Sequence, residues 1–161
     1  MIRAARPADA AALCAIYNHY IAETIVTFGT EPVPQDEMAA ALTAVTERFP
    51  WVVWEEAGRV VGYAQAGEWK SRCAYRFSVE TTIYLEAGGE GKGIGTRLYG
   101  DLLARAAEAG HHSALGGIAL PNPASVALHE KLGFVKVGHL KEVGRKFDRW
   151  IDVGYWQKIF A

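Results

Sequence analysis

The chain has 161 residues, 50% of them hydrophobic and 22% charged, with a formal net charge of −1. This is the balance of a soluble globular protein, long enough for one domain with a sizeable core over residues 1–161. The near-zero charge argues against a protein that grips nucleic acid by neutralising phosphates, and no apolar run approaches the roughly 20 residues that cross a bilayer. Pro7 and Asp9 interrupt the N-terminal segment before any signal-peptide core develops, and Cys14 and Cys73 form neither a CxxC pair nor a zinc spacing. The expectation is a reduced, cytoplasmic protein with no metal, no membrane and no nucleic-acid partner.

Strands and helices alternate without a linker. Residues 2–5 read as a strand, and Pro7 and Asp9 open a helix with Leu13, Ile16, Tyr17 and Tyr20 on its apolar side. Residues 24–30 fit either a loop or an extended segment. Met38, Leu42, Val45 and Phe49 recur at helical spacing after Pro34. Residues 51–55 and 59–68 form a hairpin around Ala57-Gly58. A loop carrying Lys70, Arg72 and Arg76 leads to a β-branched strand over 77–85.

Next come Gly88-Gly89-Glu90-Gly91-Lys92-Gly93-Ile94-Gly95 and a helix over 93–109 with Ile94, Leu98, Leu102 and Ala106 on one face. Residues 114–120 form another strand. Asn122 and Pro123 then cap and start a short helix that stops at Gly133. Strands over 134–141 and 147–158 finish the chain. The fold class is α/β: a mixed sheet, antiparallel at first, with a strand–helix–strand–helix–strand second half.

A strand, a glycine-dense turn and a helix suit phosphate, because glycines let the backbone approach closely and the helix start presents free N–H groups. A flexible surface turn is the competing reading. The Walker spacing fails, since Gly93 rather than Ser or Thr follows Lys92. The dinucleotide fingerprint fails as well, since the third Gly is misplaced. What remains is the pyrophosphate-loop pattern of the GNAT acetyltransferases, Gln/Arg-x-x-Gly-x-Gly/Ala. Glu90-Gly91-Lys92-Gly93-Ile94-Gly95 resembles it at every position but the first, where Glu90 would weaken binding unless it points away.

The chain resembles the phosphinothricin, methionine sulfone and methionine sulfoximine N-acetyltransferases of that superfamily nearly end to end. The similarity runs through Tyr17-Asn18-His19-Tyr20, Thr30-Glu31-Pro32, Gly67-Glu68-Trp69-Lys70-Ser71-Arg72 and Val79-Glu80-Thr81-Thr82-Ile83-Tyr84. It continues through Leu120-Pro121-Asn122-Pro123-Ala124-Ser125, Leu128-His129-Glu130-Lys131-Leu132-Gly133-Phe134 and Arg149-Trp150-Ile151-Asp152-Val153-Gly154-Tyr155-Trp156-Gln157. It implies a GNAT fold, a mostly antiparallel sheet splayed where acetyl-CoA enters, and a homodimer with active sites near the interface. It also implies direct acetyl transfer to the α-amino group of a small amino-acid-like substrate. A peptide or protein amine acetyltransferase and a non-catalytic acyl-CoA sensor of the same fold are the alternatives.

Acetyl transfer needs a base for the amine, a donor for the developing oxyanion and help for the departing thiolate. In the 77–85 strand, Val79, Thr81, Ile83 and Leu85 would face one way and Glu80 the other. The resemblance makes Glu80 the base, acting through water; a solvent-facing carboxylate is the competing reading. His129 would assist proton transfer or order the cofactor, against a helix-surface histidine. Tyr99 would protonate the thiolate, against a core aromatic. By resemblance, backbone groups of Ile83, Tyr84 and Leu85 line the pantetheine arm, and those of Gly91, Lys92, Gly93, Ile94, Gly95 and Thr96 wrap the pyrophosphate. Asn122, which is also a helix cap, and Ser125 complete the cofactor set. Phe28, Glu31, Lys70, Arg72 and Tyr75 are the substrate candidates, with Arg72 offering a fork for an anionic group.

Overall fold

In the computed structural model, which describes residues 1–161, strand β1 (Ile2–Ala4) leads through a 3₁₀ turn at Pro7–Asp9 into helix α1 (Ala10–Glu23). Proline suits this start because its missing N–H would have no helical partner there. Asp9 fixes the corner: its carboxylate accepts two hydrogen bonds from the Arg3 guanidinium, each 2.8 Å, and one from the Arg6 N–H. Residues 24–34 form a loop, tied to α1 by reciprocal hydrogen bonds between the Asn18 amide and the Val33 backbone. Helix α2 (Gln35–Thr46) ends sooner than its periodicity predicts. Phe49 lies beyond it, stacked on His111, because the chain must already be turning toward the sheet.

The sheet continues with β2 (Trp51–Glu56), β3 (Arg59–Glu68) and β4 (Ser78–Leu85). Helix α3 (Ile94–Glu108), β5 (Ser113–Leu120), α4 (Pro123–Lys131), β6 (Val135–Lys146) and β7 (Arg149–Ile159) follow. Ala57 and Gly58 close the β2–β3 hairpin, both at positive φ as a tight turn matched to strand twist requires. Phe147 and Asp148 close β6–β7 in the same way without a glycine. Phe147, read from sequence as the first residue of a strand, therefore belongs to a turn. β6, expected to end at Lys141, runs on to Lys146. An irregularity between Leu140 and Gly144 hid this, since a bulge breaks the two-residue alternation.

The strand order is β1-β2-β3-β4-β5-β7-β6, antiparallel except for β4 and β5. α3 packs on one face against Val52, Val79, Ala114 and Trp156, with Leu98 and Leu102 fully enclosed. α1 and α2 cover the other face through Leu13, Leu42, Val53 and Tyr63. Each such leucine contributes about 1.5–3 kcal/mol by leaving water.

The parallel pair is the feature that matters for function. β4 and β5 are paired only from Ser78 to Glu80 and from Ser113 to Leu115, yet each runs five residues further. β4 stays registered with β3 up to Leu85, and β5 stays registered with β7 up to Leu120. Each strand follows its antiparallel neighbour, and a cleft opens between them.

Candidate active site

Alternation along β4 decides what the cleft receives. Val79 and Thr81 are buried toward α3, whereas Glu80, Thr82 and Tyr84 face the opposite side. The Glu86 N–H bonds the Val61 carbonyl, so even-numbered peptide groups of β4 point to β3 and odd-numbered ones to the cleft. The N–H groups of Ile83 and Leu85 thus lie along the open edge; the Leu85 carbonyl is taken by the Tyr20 hydroxyl at 2.6 Å. Tyr84, grouped with them from sequence, turns its peptide toward β3 and its ring toward Tyr17, Tyr20 and Tyr63.

At the cleft's end, Gly91 and Gly93 adopt φ of 81° and 73°, values that L side chains rarely adopt, and so aim the loop at the start of α3. The N–H groups from Gly91 to Thr96 have no partner among the turn, loop and cap hydrogen bonds. With Lys92 exposed beside them, this donor set fits a pyrophosphate. Glu90 is exposed, and its charge is felt by the Tyr20 hydroxyl, which burial and Glu90 together raise above the usual phenol range.

The far wall is α4. Asn122 accepts from the Ser125 N–H at 3.1 Å, so it does cap the helix, while its side chain also lines the cleft with Ser125 and His129. His129 is buried. Its Nδ1 lies 2.7 Å from the Ser125 carbonyl, which can only accept, so Nδ1 carries the proton. Nε2, at 3.0 Å, then accepts from the Tyr99 hydroxyl, which in turn accepts from Thr81 Oγ1 at 2.7 Å. Burial holds the imidazole below its ordinary range and therefore neutral, and pushes the Tyr99 phenol up. Both ring nitrogens are engaged within the protein. Tyr99 is fully enclosed and meets the cleft only through Thr81 and His129, both of which line it.

A cavity of about 330 Å³ opens on the other face of β4 and β5. Glu80 stands in its wall with Phe28, Thr82, Gly117, Val153 and Tyr155. Burial raises the Glu80 carboxyl above its usual range, and the positive charge of Lys70 partly opposes this. Phe28 reaches the cavity because position 144 is glycine; a Cβ there would collide with its ring. Glu31, Lys70, Arg72 and Tyr75 are exposed and line no part of this cavity. The chain leaving β3 turns outward into solvent, with the Lys70 ammonium over the Trp69 ring.

Val153 and Tyr155 were missed in the sequence. Alternation from the buried Trp156 would have placed them on the opposite face of β7. Cys14 is buried with its thiol raised by desolvation, which disfavours a thiolate nucleophile. No group of three or more His, Cys, Asp or Glu side chains is arranged to hold a metal ion, and no helix is long and apolar enough to cross a membrane.

The splayed sheet, the glycine loop with free donors and the half-buried carboxylate across the strand from the cleft define an acyl-transfer architecture. Residues 2–154 match the acetyltransferase (GNAT) domain model, and the chain belongs to that family. It is 44% identical to the phosphinothricin N-acetyltransferase of Streptomyces viridochromogenes, covering 99% of this chain and 87% of that one. It is 38% identical to the L-methionine sulfoximine/L-methionine sulfone acetyltransferase of Salmonella typhimurium, over 97% and 92%. The phosphinothricin acetyltransferase of Sinorhizobium meliloti, solved with acetyl-CoA, superposes with a TM-score of 0.96 at 36% identity, over 100% of this chain and 88% of that one.

Proposed function

We propose that this protein moves the acetyl group of acetyl-CoA to the α-amino group of a small amino-acid-like acceptor of the phosphinothricin, methionine sulfoximine or methionine sulfone type. The observation that carries this reading is the juxtaposition of a cleft edged by unpaired β4 peptide groups with Glu80 on the adjoining cavity. Acetyl-CoA, when bound, supplies a thioester whose carbonyl carbon takes the amine nitrogen as the C–S bond breaks; CoA leaves as the thiolate and becomes the thiol by taking the second proton that the attacking nitrogen sheds.

The residues then divide the work. N–H groups from Gly91 to Thr96, with Lys92, receive the pyrophosphate, and the Ile83 and Leu85 edge with Asn122 and Ser125 receives the pantetheine arm. A free N–H on that edge donates to the carbonyl oxygen as charge develops there. Glu80 accepts the amine proton through water. An α-amino group ionises at about 7.7–8.0, so a carboxylate raised by burial is a sufficient base. His129 and Tyr99 act as positioning residues, since their hydrogen bonds are spent on Ser125, Thr81 and each other.

A second copy of the chain is the partner we assign. Val135, Val137, Val143, Phe147 and Trp150 leave an exposed apolar strip on the β6–β7 edge, which supports this assignment. Arg72 and Tyr75, turned away from their own cavity, would then serve the acceptor's polar head group in a dimer. The working compartment is the cytoplasm.

The test is release of CoA thiol from acetyl-CoA with phosphinothricin, methionine sulfoximine, methionine sulfone, ordinary amino acids and a short peptide. Turnover confined to the first three supports the reading. Turnover on the peptide alone would replace it with a protein acetyltransferase, and acetyl-CoA binding without any turnover with a sensor.

A further inference from the structure

Tyr155 lies in β7 opposite Gly117 of β5, and its ring occupies the space that a side chain at position 117 would need. Measured from where a Cβ at Gly117 would stand, Cε1 is 3.1 Å away, Cζ 3.4 Å and the hydroxyl oxygen 3.6 Å. The ring therefore reaches from β7 across β5 with its hydroxyl end leading, toward the strand that carries Glu80. Trp69 braces it edge-on, with ring centroids 5.5 Å apart. The hydroxyls of Tyr17, Tyr20 and Tyr99 are bonded to protein partners. That of Tyr155 has no such protein partner, and Tyr155 lines the cavity. Burial and the nearby Glu80 charge raise this phenol above its usual range, so it keeps its proton as a donor.

Within one chain, Glu80 is the only charged side chain in the cavity wall. An amino acid bound there brings a carboxylate into repulsion with the base that must receive its amine proton. The Lys70 charge, from outside the wall, already lowers the proton affinity of Glu80 somewhat, and a cation set in the wall would relieve the repulsion only by lowering it further. A neutral phenol donates to the carboxylate without that penalty.

We infer that the Tyr155 hydroxyl donates a hydrogen bond to the α-carboxylate of the acceptor, selecting amino acids over simple amines and holding the α-amino group toward Glu80. This assignment rests on the function proposed above. The hydroxyl is made available by Gly117, whose missing side chain lets the ring lie over β5.

The test compares wild type with Tyr155→Phe, which removes one oxygen and keeps the ring. The acceptors are L-methionine sulfone and 3-(methylsulfonyl)propan-1-amine, the same molecule without its carboxylate. The latter is read as a substrate or, where turnover is too slow, as an inhibitor of methionine sulfone acetylation. For methionine sulfone we expect Y155F to raise the KM roughly tenfold or more, as the loss of a hydrogen bond to a charged oxygen implies. The KM for acetyl-CoA, which reports an intact fold, stays within about twofold by the same reasoning, and the decarboxylated amine is handled equally by both proteins. An unchanged KM for methionine sulfone, or an equal loss on both acceptors, overturns the assignment. A wild type inert toward methionine sulfone and its relatives sinks the proposed function itself, and this inference with it.

Discussion

A single methyl group added at Gly116 should unseat His129. A Cβ built on Gly116 would stand 2.5 Å from His129 Nε2 and 2.8 Å from Cδ2, closer than real side-chain carbons come. The ring cannot retreat freely, because Nδ1 is held by the Ser125 carbonyl and Nε2 by the Tyr99 hydroxyl. Gly116→Ala therefore overpacks a buried site, costing about 1–3 kcal/mol. It also breaks the Tyr99–His129 hydrogen bond in a place where an orphaned group costs about 1–3 kcal/mol more. Together, roughly 2–6 kcal/mol should lower the Tm by about 4–24 °C for a chain of this size. The displaced ring moves toward the cleft wall it shares with Asn122 and Ser125, so the KM for acetyl-CoA should rise as well. Thermal unfolding of Gly116→Ala, His129→Ala and the double variant measures the coupling. Once His129 is absent the methyl has room, so adding Gly116→Ala to His129→Ala should cost under about 0.5 kcal/mol. Full additivity, or a Gly116→Ala protein with wild-type Tm and KM, would refute the clash.

Glu80→Gln should lower kcat by roughly 10²–10⁴-fold with little change in the KM for acetyl-CoA, and should abolish the acid limb of the pH–rate profile. That limb should lie above the ordinary glutamate range, because burial raises this carboxyl. The same shift means that ionised Glu80 subtracts stability as pH rises through its unfolded-state value. Glu80→Gln should therefore melt higher than wild type at neutral pH, with the difference vanishing in acid. Glu90→Arg should lower the KM for acetyl-CoA by roughly threefold to tenfold, an effect that shrinks in high salt because the site is exposed. Asp9 is held below its usual range chiefly by Arg3, so its contribution is present at neutral pH and lost as pH falls through the folded-state value. Asp9→Asn should cost about 2–4 kcal/mol in urea unfolding at pH 7 and correspondingly less in strong acid.

Much of the scaffold was legible in the chain because it rests on local chemistry. The two-residue period of β4 put Glu80 on the face opposite Val79 and Thr81. Asn122, Pro123 and Gly133 bounded α4, and Gly91 and Gly93 marked the loop before α3. Where the reading slipped, local signals were outvoted: the β6 bulge broke alternation, and Phe147 and Asp148 took positive φ without a glycine to announce it.

What the sequence by itself determined about this protein is its order of elements, the faces of its strands and the glycine loop, each set by bonds and sterics within a few residues. Only the tertiary structure decided which of those residues meet. It separated β4 from β5 beyond Glu80, because each strand has a stronger antiparallel partner. It closed Thr81, Tyr99, His129 and Ser125 into one hydrogen-bonded chain, joining residues up to 48 positions apart. It turned Lys70, Arg72 and Tyr75 out of their own cavity and brought Tyr155 in over Gly117. Such meetings depend on how sheet and helices pack, and no local period records them.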